Sequence, residues 1–278
     1  MPAARASALE KAKTLPADAL IFDLEDAVAP DAKDTARDMA VAAAASGAYG
    51  RREIAIRANG LDTPWGQADL TAIARSGAHA AVVPKIESAA MVRQALAVLD
   101  GAGAPADLAL WAMVETPIGV LRAEKIAAAS PRLTVLVMGT SDLAKDLGAA
   151  HTPDRAPFMT SFGLCLLAAR AHGCAILDGV HLNLGDDAEF AAHCRQGADL
   201  GFDGKTLIHP KQVAPANDAF GPSADDLTHA ERVVKAYECA ISAGQGVATL
   251  DGQLIENLHA EGARRIIALH EAIVALSE

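Results

Sequence analysis

Two acidic side chains stand where strongly apolar runs stop: Glu115 in MVETPIG and Asp142 in VLVMGTSDLAKDLG. A carboxylate at the boundary of a buried strand is costly unless it is paired, hydrogen bonded or beside a metal ion. Two such oxygen donors would hold a hard cation such as Mg2+ and leave coordination positions for water and a 2-oxo acid. Zn2+ suits this pair less well, because no His/Cys ligand set lies nearby. Helix capping or an ordinary salt bridge is the competing reading.

Further polar residues fall at the ends of other apolar runs. IFDLEDAVAPDAK places Asp23, Glu25 and Asp26 where a run opens into a loop, with Glu25 and Asp26 the better candidates to support a metal site. EIAIRANGLDTPWG ends a run in Arg57, whose planar fork suits bidentate binding of a substrate carboxylate but could equally pair with a structural one. For Lys85 and Glu87 in VVPKIES, structural pairing is favoured over chemistry. Asp178, His181 and His209 read as loop-orienting or hydrogen-bonded structural groups, while Trp65, Trp111 and Met138 read as packing residues. No GxSxG elbow, P-loop, HExxH or kinase motif set is present, which weakens those enzyme classes.

Positioning these residues requires buried strands, and the apolar runs predict seven: 19–25, 53–58, 80–85, 108–115, 134–138, 175–180 and 200–207. Helical periodicity covers 34–46, 66–76, 88–101, 118–129, 155–173 and 186–197, giving repeated βα units. That pattern predicts an α/β fold, a (β/α)8 TIM barrel with active-site groups on the C-terminal face of its strands. A closed barrel needs an eighth strand, but the chain is polar and helical from about Ala6: either the barrel opens unusually near its N-terminus, or the sheet is not a barrel, or the first strand is truncated, and a truncated first strand with an incompletely paired edge is the expectation. Residues 1–220 are read as the barrel domain. Residues 221–278 are read as a helical extension, with helices at 224–243 and 257–276 joined by GQGVATLDGQLIE and packing on a neighbouring subunit.

Composition excludes some partners. A formal net charge of -11 without a Lys/Arg-rich window argues against general nucleic-acid binding. No apolar run approaches the roughly 20 residues that span a bilayer, and the N-terminus lacks a signal-peptide core. Four scattered cysteines without a CxxC pair fit a reducing, cytoplasmic setting.

Taken in order, IFDLEDAVAPDAK, IRANGLDTPWG, VPKIES, VETPIG, MGTSDLAKDLG and LGFDGKTLIHP closely resemble the citrate lyase beta-like and malyl-CoA lyase family, within the HpcH/HpaI aldolase superfamily. The resemblance spans almost the whole chain. It implies Mg2+ ligation by Glu115 and Asp142, with Glu25 and Asp26 hydrogen bonding the metal's waters. It further implies that Arg57 binds the carboxylate of a small 2-oxo acid, that the Gly139-Thr140 backbone cradles the same acid, and that Arg5 and Lys11 lie near the nucleotide of a coenzyme A thioester.

The implied reaction is reversible cleavage of a malyl-CoA-like β-hydroxyacyl-CoA into an acyl-CoA and glyoxylate or a related 2-oxo acid. Malyl-CoA thioesterase activity is the alternative, followed by a non-catalytic acyl-CoA-binding homologue. Family members are expected to be homotrimers or hexamers. Two departures stand out: the family's opening strand and VPG-like turn are replaced by MPAAR, and the Asp of a GKMID-like stretch, which acts in a neighbour's site as acid or base, is replaced by Glu256 in GQLIENLH.

Overall fold

Short runs of Ala, Val, Ile and Leu build one parallel sheet: β1 (Ala19–Asp23), β2 (Glu53–Arg57), β3 (Ala80–Val83), β4 (Ala109–Val114), β5 (Leu133–Met138), β6 (Ala175–Asp178) and β7 (Gly204–Lys205). They lie in chain order, each paired in parallel with the next. The structure is a computed structural model describing residues 1–277, and it divides into one unit from Met1 to Ala216 and another from Asn217 onward. The division falls inside a helix, four residues before the expected boundary at 220.

Helices alternate with the strands, as buried parallel sheets require. They are α1 (Ala6–Ala12), α2 (Lys33–Ala45), α3 (Gly66–Ile73), α4 (Ala89–Gly101), α5 (Pro117–Leu121), α6 (Ala123–Ala127), α7 (Thr140–Leu147), α8 (Met159–Ala171) and α9 (Asp187–Leu200), with α10 (Val213–Phe220) after β7. Ala55, Ala80, Val82, Trp111, Val135 and Val137 form a buried cluster, joined by Ala19, Ile21, Ala109, Met113, Ala175 and Leu177. Alternation along a strand sends every second side chain to the same face. Continuing that face past Ile21, Ala55, Met113 and Val137 leads to Asp23, Arg57, Glu115 and Gly139. The apolar filling thus ends in the polar groups of the candidate site.

The sheet is α/β and parallel as expected, with differences that have local causes. The predicted strand at 200–207 shrinks to Gly204–Lys205 because α9 runs to Leu200 and stops at Gly201, whose φ of 98° only glycine adopts readily. The predicted helix at 118–129 breaks at Arg122 into α5 and α6. Helices α7 and α10 were not predicted. The opening residues run beside β1: Met1 and Pro2 carbonyl and bridge contacts, with Ala3 N donating to Asp23 O at 3.0 Å, place Met1–Ala3 parallel to it. No pairing closes β7 onto β1 among the described residues.

In the second unit, α11 (Ala224–Ser242) starts in a Ser223/Asp226 capping box, and α12 (Asn257–Ser277) follows a hairpin of β8 (Ala248–Leu250) and β9 (Gln253–Ile255). The hairpin turns on Asp251-Gly252, with φ of 51° and 79°. Asp-Gly is a strong signal for a two-residue turn in which both residues have positive φ, and the expected plain linker is corrected to a hairpin. All four cysteines are free, and no helix among the described residues is long and apolar enough to cross a membrane.

A second polar framework stands at the ends of β6 and β7. Asp178, fully buried, accepts from Arg155 Nη1 with both oxygens (2.8 and 2.6 Å), from Lys205 Nζ at 2.8 Å and from Gly179 N. One carboxylate thus compensates two buried cations. Removing one member of a buried charged group typically costs about 3–5 kcal/mol. Asp178→Asn is therefore expected to lower the thermal midpoint by about 10 °C; a change below a degree or two would show that the cations find other compensation.

Candidate active site at the strand ends

Asp23 and Arg57 are register partners on β1 and β2, which brings their side chains together at the open end of the buried face. Arg57 Nε and Nη2 each donate to an Asp23 oxygen at 2.6 Å, a bidentate pair. Its Nη1 lies 2.8 Å from Glu25 Oε2 and 3.5 Å from Asp26 Oδ2. The fork expected to meet a substrate carboxylate is therefore engaged along one edge by Asp23, and pairing with a structural carboxylate is what the geometry shows. Asp23 carries that role, although Glu25 and Asp26 drew more attention in the sequence. Burial pushes the Asp23 carboxyl up, but Arg57 outweighs it and holds the group below its usual range.

Around this pair gather Glu25, Lys85, Glu115 and Asp142. Glu115, directly after β4 and 2% exposed, accepts from Lys85 N at 2.8 Å. Lys85 has a left-handed φ of 50°, an uncommon conformation for a residue with a side chain. Its Nζ lies 3.0 Å from Glu25 Oε1 and 4.0 Å from Asp142 Oδ1. The expected structural pairing of Lys85 thus occurs inside the candidate site.

Burial first, then the neighbouring Glu25 charge, raises the Glu115 carboxyl to about 7, against the opposing Lys85 contacts. Burial also raises Glu25, which Arg57 only partly offsets. Glu25 Oε2 is buried and lacks a hydrogen-bond partner despite its closeness to the guanidinium. Asp26, by contrast, is exposed.

Gly139 follows β5 and permits the approach of Glu115. A Cβ at this position would lie within 2.2 Å of Glu115 Oε2 and 2.3 Å of its Cβ. Thr140 begins α7 and Asp142 occupies its first turn, with no side chain capping the helix. First-turn amides have no intrahelical acceptor and favour anions. Glu115, Asp142 and Glu25 thus bring carboxylates to the same strand ends, linked through Lys85 and beside the first turn of α7.

Beneath Glu25 lies a framework that the sequence did not single out. Buried Lys33 donates to Leu24 O, Glu25 O and Asn59 Oδ1 at 2.7–2.8 Å, using all three ammonium hydrogens. Asn59 in turn donates to fully buried Asp69, which also meets Arg37. An Asn following the strand was the only local hint. Lys33 and Asp69 lie in helices whose sequence pattern does not distinguish them from ordinary surface residues.

Other proposed participants fall elsewhere. Arg5 precedes α1 just beyond the end of Met1–Ala3, where that segment lies against Asp23, and Lys11 is exposed in the last turn of α1. Glu256 is exposed at the start of α12 in the second unit, its N–H donating to His259 Nδ1. His209 caps a 3-10 turn through a capping box with Gln212, matching its structural reading.

The family description HpcH/HpaI aldolase/citrate lyase matches residues 1–210. A (3S)-malyl-CoA thioesterase of Cereibacter sphaeroides is 50% identical over 275 residues, covering 99% of this chain and 94% of that protein. The citrate lyase subunit beta of Escherichia coli is 36% identical over 279 residues, covering 98% and 91%. The structure of protein CitE from Mycobacterium tuberculosis, in complex with magnesium, acetoacetate and coenzyme A, aligns with a TM-score of 0.78 at 30% identity, covering 96% and 95%.

The raised Glu115 carboxyl has a consequence for stability. The folded protein retains this proton up to about 7, whereas the ordinary value is 4.5. Stability should therefore fall as pH rises through that window and level off above it. The shift corresponds to roughly 3 kcal/mol. In chelator-treated protein at pH 8, Glu115→Gln should melt about 5–10 °C above the parent chain, with the difference closing near pH 5. Equal melting at pH 8 would show that Glu115 is not under this electrostatic load.

Proposed function

The chain belongs to the HpcH/HpaI aldolase/citrate lyase family, and from that premise we propose that it is a Mg2+-dependent thioesterase acting on (3S)-malyl-CoA or a closely related β-hydroxyacyl-CoA, releasing malate and free coenzyme A. The observation that carries this reading is the set of carboxylates at the strand ends, buried Glu25 and Glu115 with half-buried Asp142, in which Glu25 and Asp142 both repel the charge of Glu115. The 50% identity to thioesterases favours hydrolysis over the carbon–carbon cleavage expected from the sequence.

The donor set fits Mg2+. Its oxygens are hard ligands, Glu25 Oε2 is buried with the Arg57 ion pair at 2.8 Å but no hydrogen bond to compensate it, and the glycine at 139 leaves room for Glu115. Glu115 and Asp142 would hold the ion, with Glu25 and Asp26 hydrogen bonding its waters. When bound, the ion supplies a Lewis-acid charge that polarises substrate oxygen. Gly139 N–H is engaged by Val114 O, so the backbone from Thr140 onward receives the substrate's carboxylate at the start of α7, and Arg57 Nη1 can assist only by giving up part of its contact with Glu25 and Asp26. Arg5 and Lys11 offer positive charge for coenzyme A phosphates.

Glu256 of a neighbouring copy takes a proton from water as its oxygen bonds to the thioester carbon. The C–S bond then breaks, and the proton returns to the departing thiolate. This assignment rests on the position of the family's Asp. The additional methylene of Glu moves the carboxylate by about an ångström, a scale that matters when orientation limits rate.

Carbon–carbon lyase activity is the second reading, favoured by the citrate lyase beta relatives. There the same base would remove the β-hydroxyl proton. We also read the sheet as part of an eight-stranded (β/α) barrel, supported by its sequential parallel order and by Met1–Ala3 beside β1. A homotrimer or hexamer is supported by exposed Val247, Leu254, Leu258, Leu269 and Val274 in the second unit. Free, mostly buried cysteines fit the cytoplasm.

Purified protein given Mg2+ and malyl-CoA should produce malate and free coenzyme A from the first time points. Early glyoxylate and acetyl-CoA in equal amounts would instead establish the lyase reading, and tight binding without either product would favour a non-catalytic homologue. Glu256→Gln should lower kcat by about 10²–10⁴-fold while leaving Mg2+ and substrate binding nearly unchanged, because an amide cannot exchange the proton. Normal turnover in that variant, under conditions where chemistry limits the rate, would remove Glu256 from the mechanism.

A further inference from the structure

Away from the carboxylate centre, His181, Glu189 and His193 bring potential ligand atoms within 4.8 Å of one another. Glu189 and His193 lie one turn apart on α9, and His181 comes from the loop after β6. The two imidazoles meet edge to face, with their Nδ1 atoms 3.1 Å apart. His193 Nε2 lies 2.9 Å from Pro153 O. A carbonyl only accepts, so Nε2 carries the proton and His193 Nδ1 presents a lone pair.

In the absence of an ion, proton placement cannot satisfy both rings. If His181 donates from Nδ1 to His193, its Nε2 becomes a buried acceptor without a partner. If its proton is on Nε2, two lone pairs face each other and the buried N–H goes unmet. His181 Nε2 indeed lacks a partner in a residue only 5% exposed. Such an under-satisfied buried group requires a physical explanation.

We propose that His181, Glu189 and His193 form a site for a divalent transition ion of the zinc type, separate from the oxygen-donor site at Glu115 and Asp142. Each histidine would ligate through Nδ1. Two nitrogens bound tetrahedrally to zinc at 2.0–2.1 Å stand about 3.3 Å apart, close to the separation seen here. The His193 Nε2 contact with Pro153 orients that ring, as an outer hydrogen bond does for metal-bound imidazole.

Glu189 is partly exposed, accepts from Asn183 at 3.3 Å and has Oε1 3.9 Å from His193 Nε2; a change of rotamer toward the Nδ1 side makes it the third ligand. Two imidazoles and a carboxylate favour a transition ion over Mg2+. Burial, followed by opposing and reinforcing local contacts, leaves the His193 imidazole below its ordinary titration value and hence neutral at pH 7.

A cavity of about 260 Å3, lined also by Thr140, Arg155 and Phe158, leaves room for water at the fourth position. The ion would tie the loop at 180–186 to α9. The neighbouring Gly179 packs so closely on Thr140 that a Cβ would come within 2.5 Å of its hydroxyl, so the clip would stiffen the wall behind Thr140.

The test uses the full chain after chelator treatment, titrated with Zn2+ and separately with Co2+ in excess Mg2+. One equivalent of Zn2+ should bind, and Co2+ should develop the strong visible absorption of a tetrahedral ion. Glu189→Gln should weaken Zn2+ binding by at least about 10-fold, and His181→Gln should abolish it. Glu115→Gln should leave it unchanged. Absence of saturable Zn2+ binding in the parent chain, undiminished binding in Glu189→Gln, or loss through Glu115→Gln would each overturn the proposal. If His181→Gln does not melt cooperatively, the partly exposed Glu189 position decides the question.

Discussion

Glu115 is almost wholly buried with Glu25 and Asp142 as like-charged neighbours, and such an environment must be protonated or neutralised. The surrounding residues supply part of the compensation. Arg57 binds Asp23 and approaches Glu25, while Lys85 extends from Glu25 towards Asp142. These cations still leave Glu115 raised to about 7. The remaining electrostatic load is what makes a divalent cation a chemically reasonable occupant.

Keeping those charges in place depends on groups that do not themselves face the proposed chemistry. Lys33 ties down the carbonyls of Leu24 and Glu25, and Asn59 passes the connection to Asp69. Asp178 performs a related task between Arg155 and Lys205, holding the end of β6 beside Thr140. In both networks, a buried charge is tolerable because its hydrogen-bonding capacity is met. Loss of one member would affect several strand ends together.

Much of the sheet was legible because short continuous apolar runs and their polar terminators have direct physical meaning in a parallel sheet buried on both faces. The runs ending at Asp23, Arg57, Glu115 and Gly139 illustrate this. Local patterns misled where two conformations compete. After β5, Gly139 stands at the N-cap position of α7, a helix too short and polar for the apolar periodicity to reveal. The stretch from Leu200 has strand-like residues, yet α9 continues through Leu200 before Gly201 stops it. At Asp251-Gly252 the hairpin signal was available, but strand residues only three long on either side made it easy to read as linker.

The sequence by itself determined the parallel α/β alternation, the acidic strand ends and the family resemblance, because these depend on residue order and local periodicity. Only the tertiary structure decided that Arg57 engages Asp23, that Lys85 enters the carboxylate cluster and that His181 meets His193. Those contacts join residues separated by 34, 60 and 12 positions. No local propensity specifies such pairings. They follow from strand register, from the direction of side chains at strand ends, and from the need of buried polar groups to find partners across the fold.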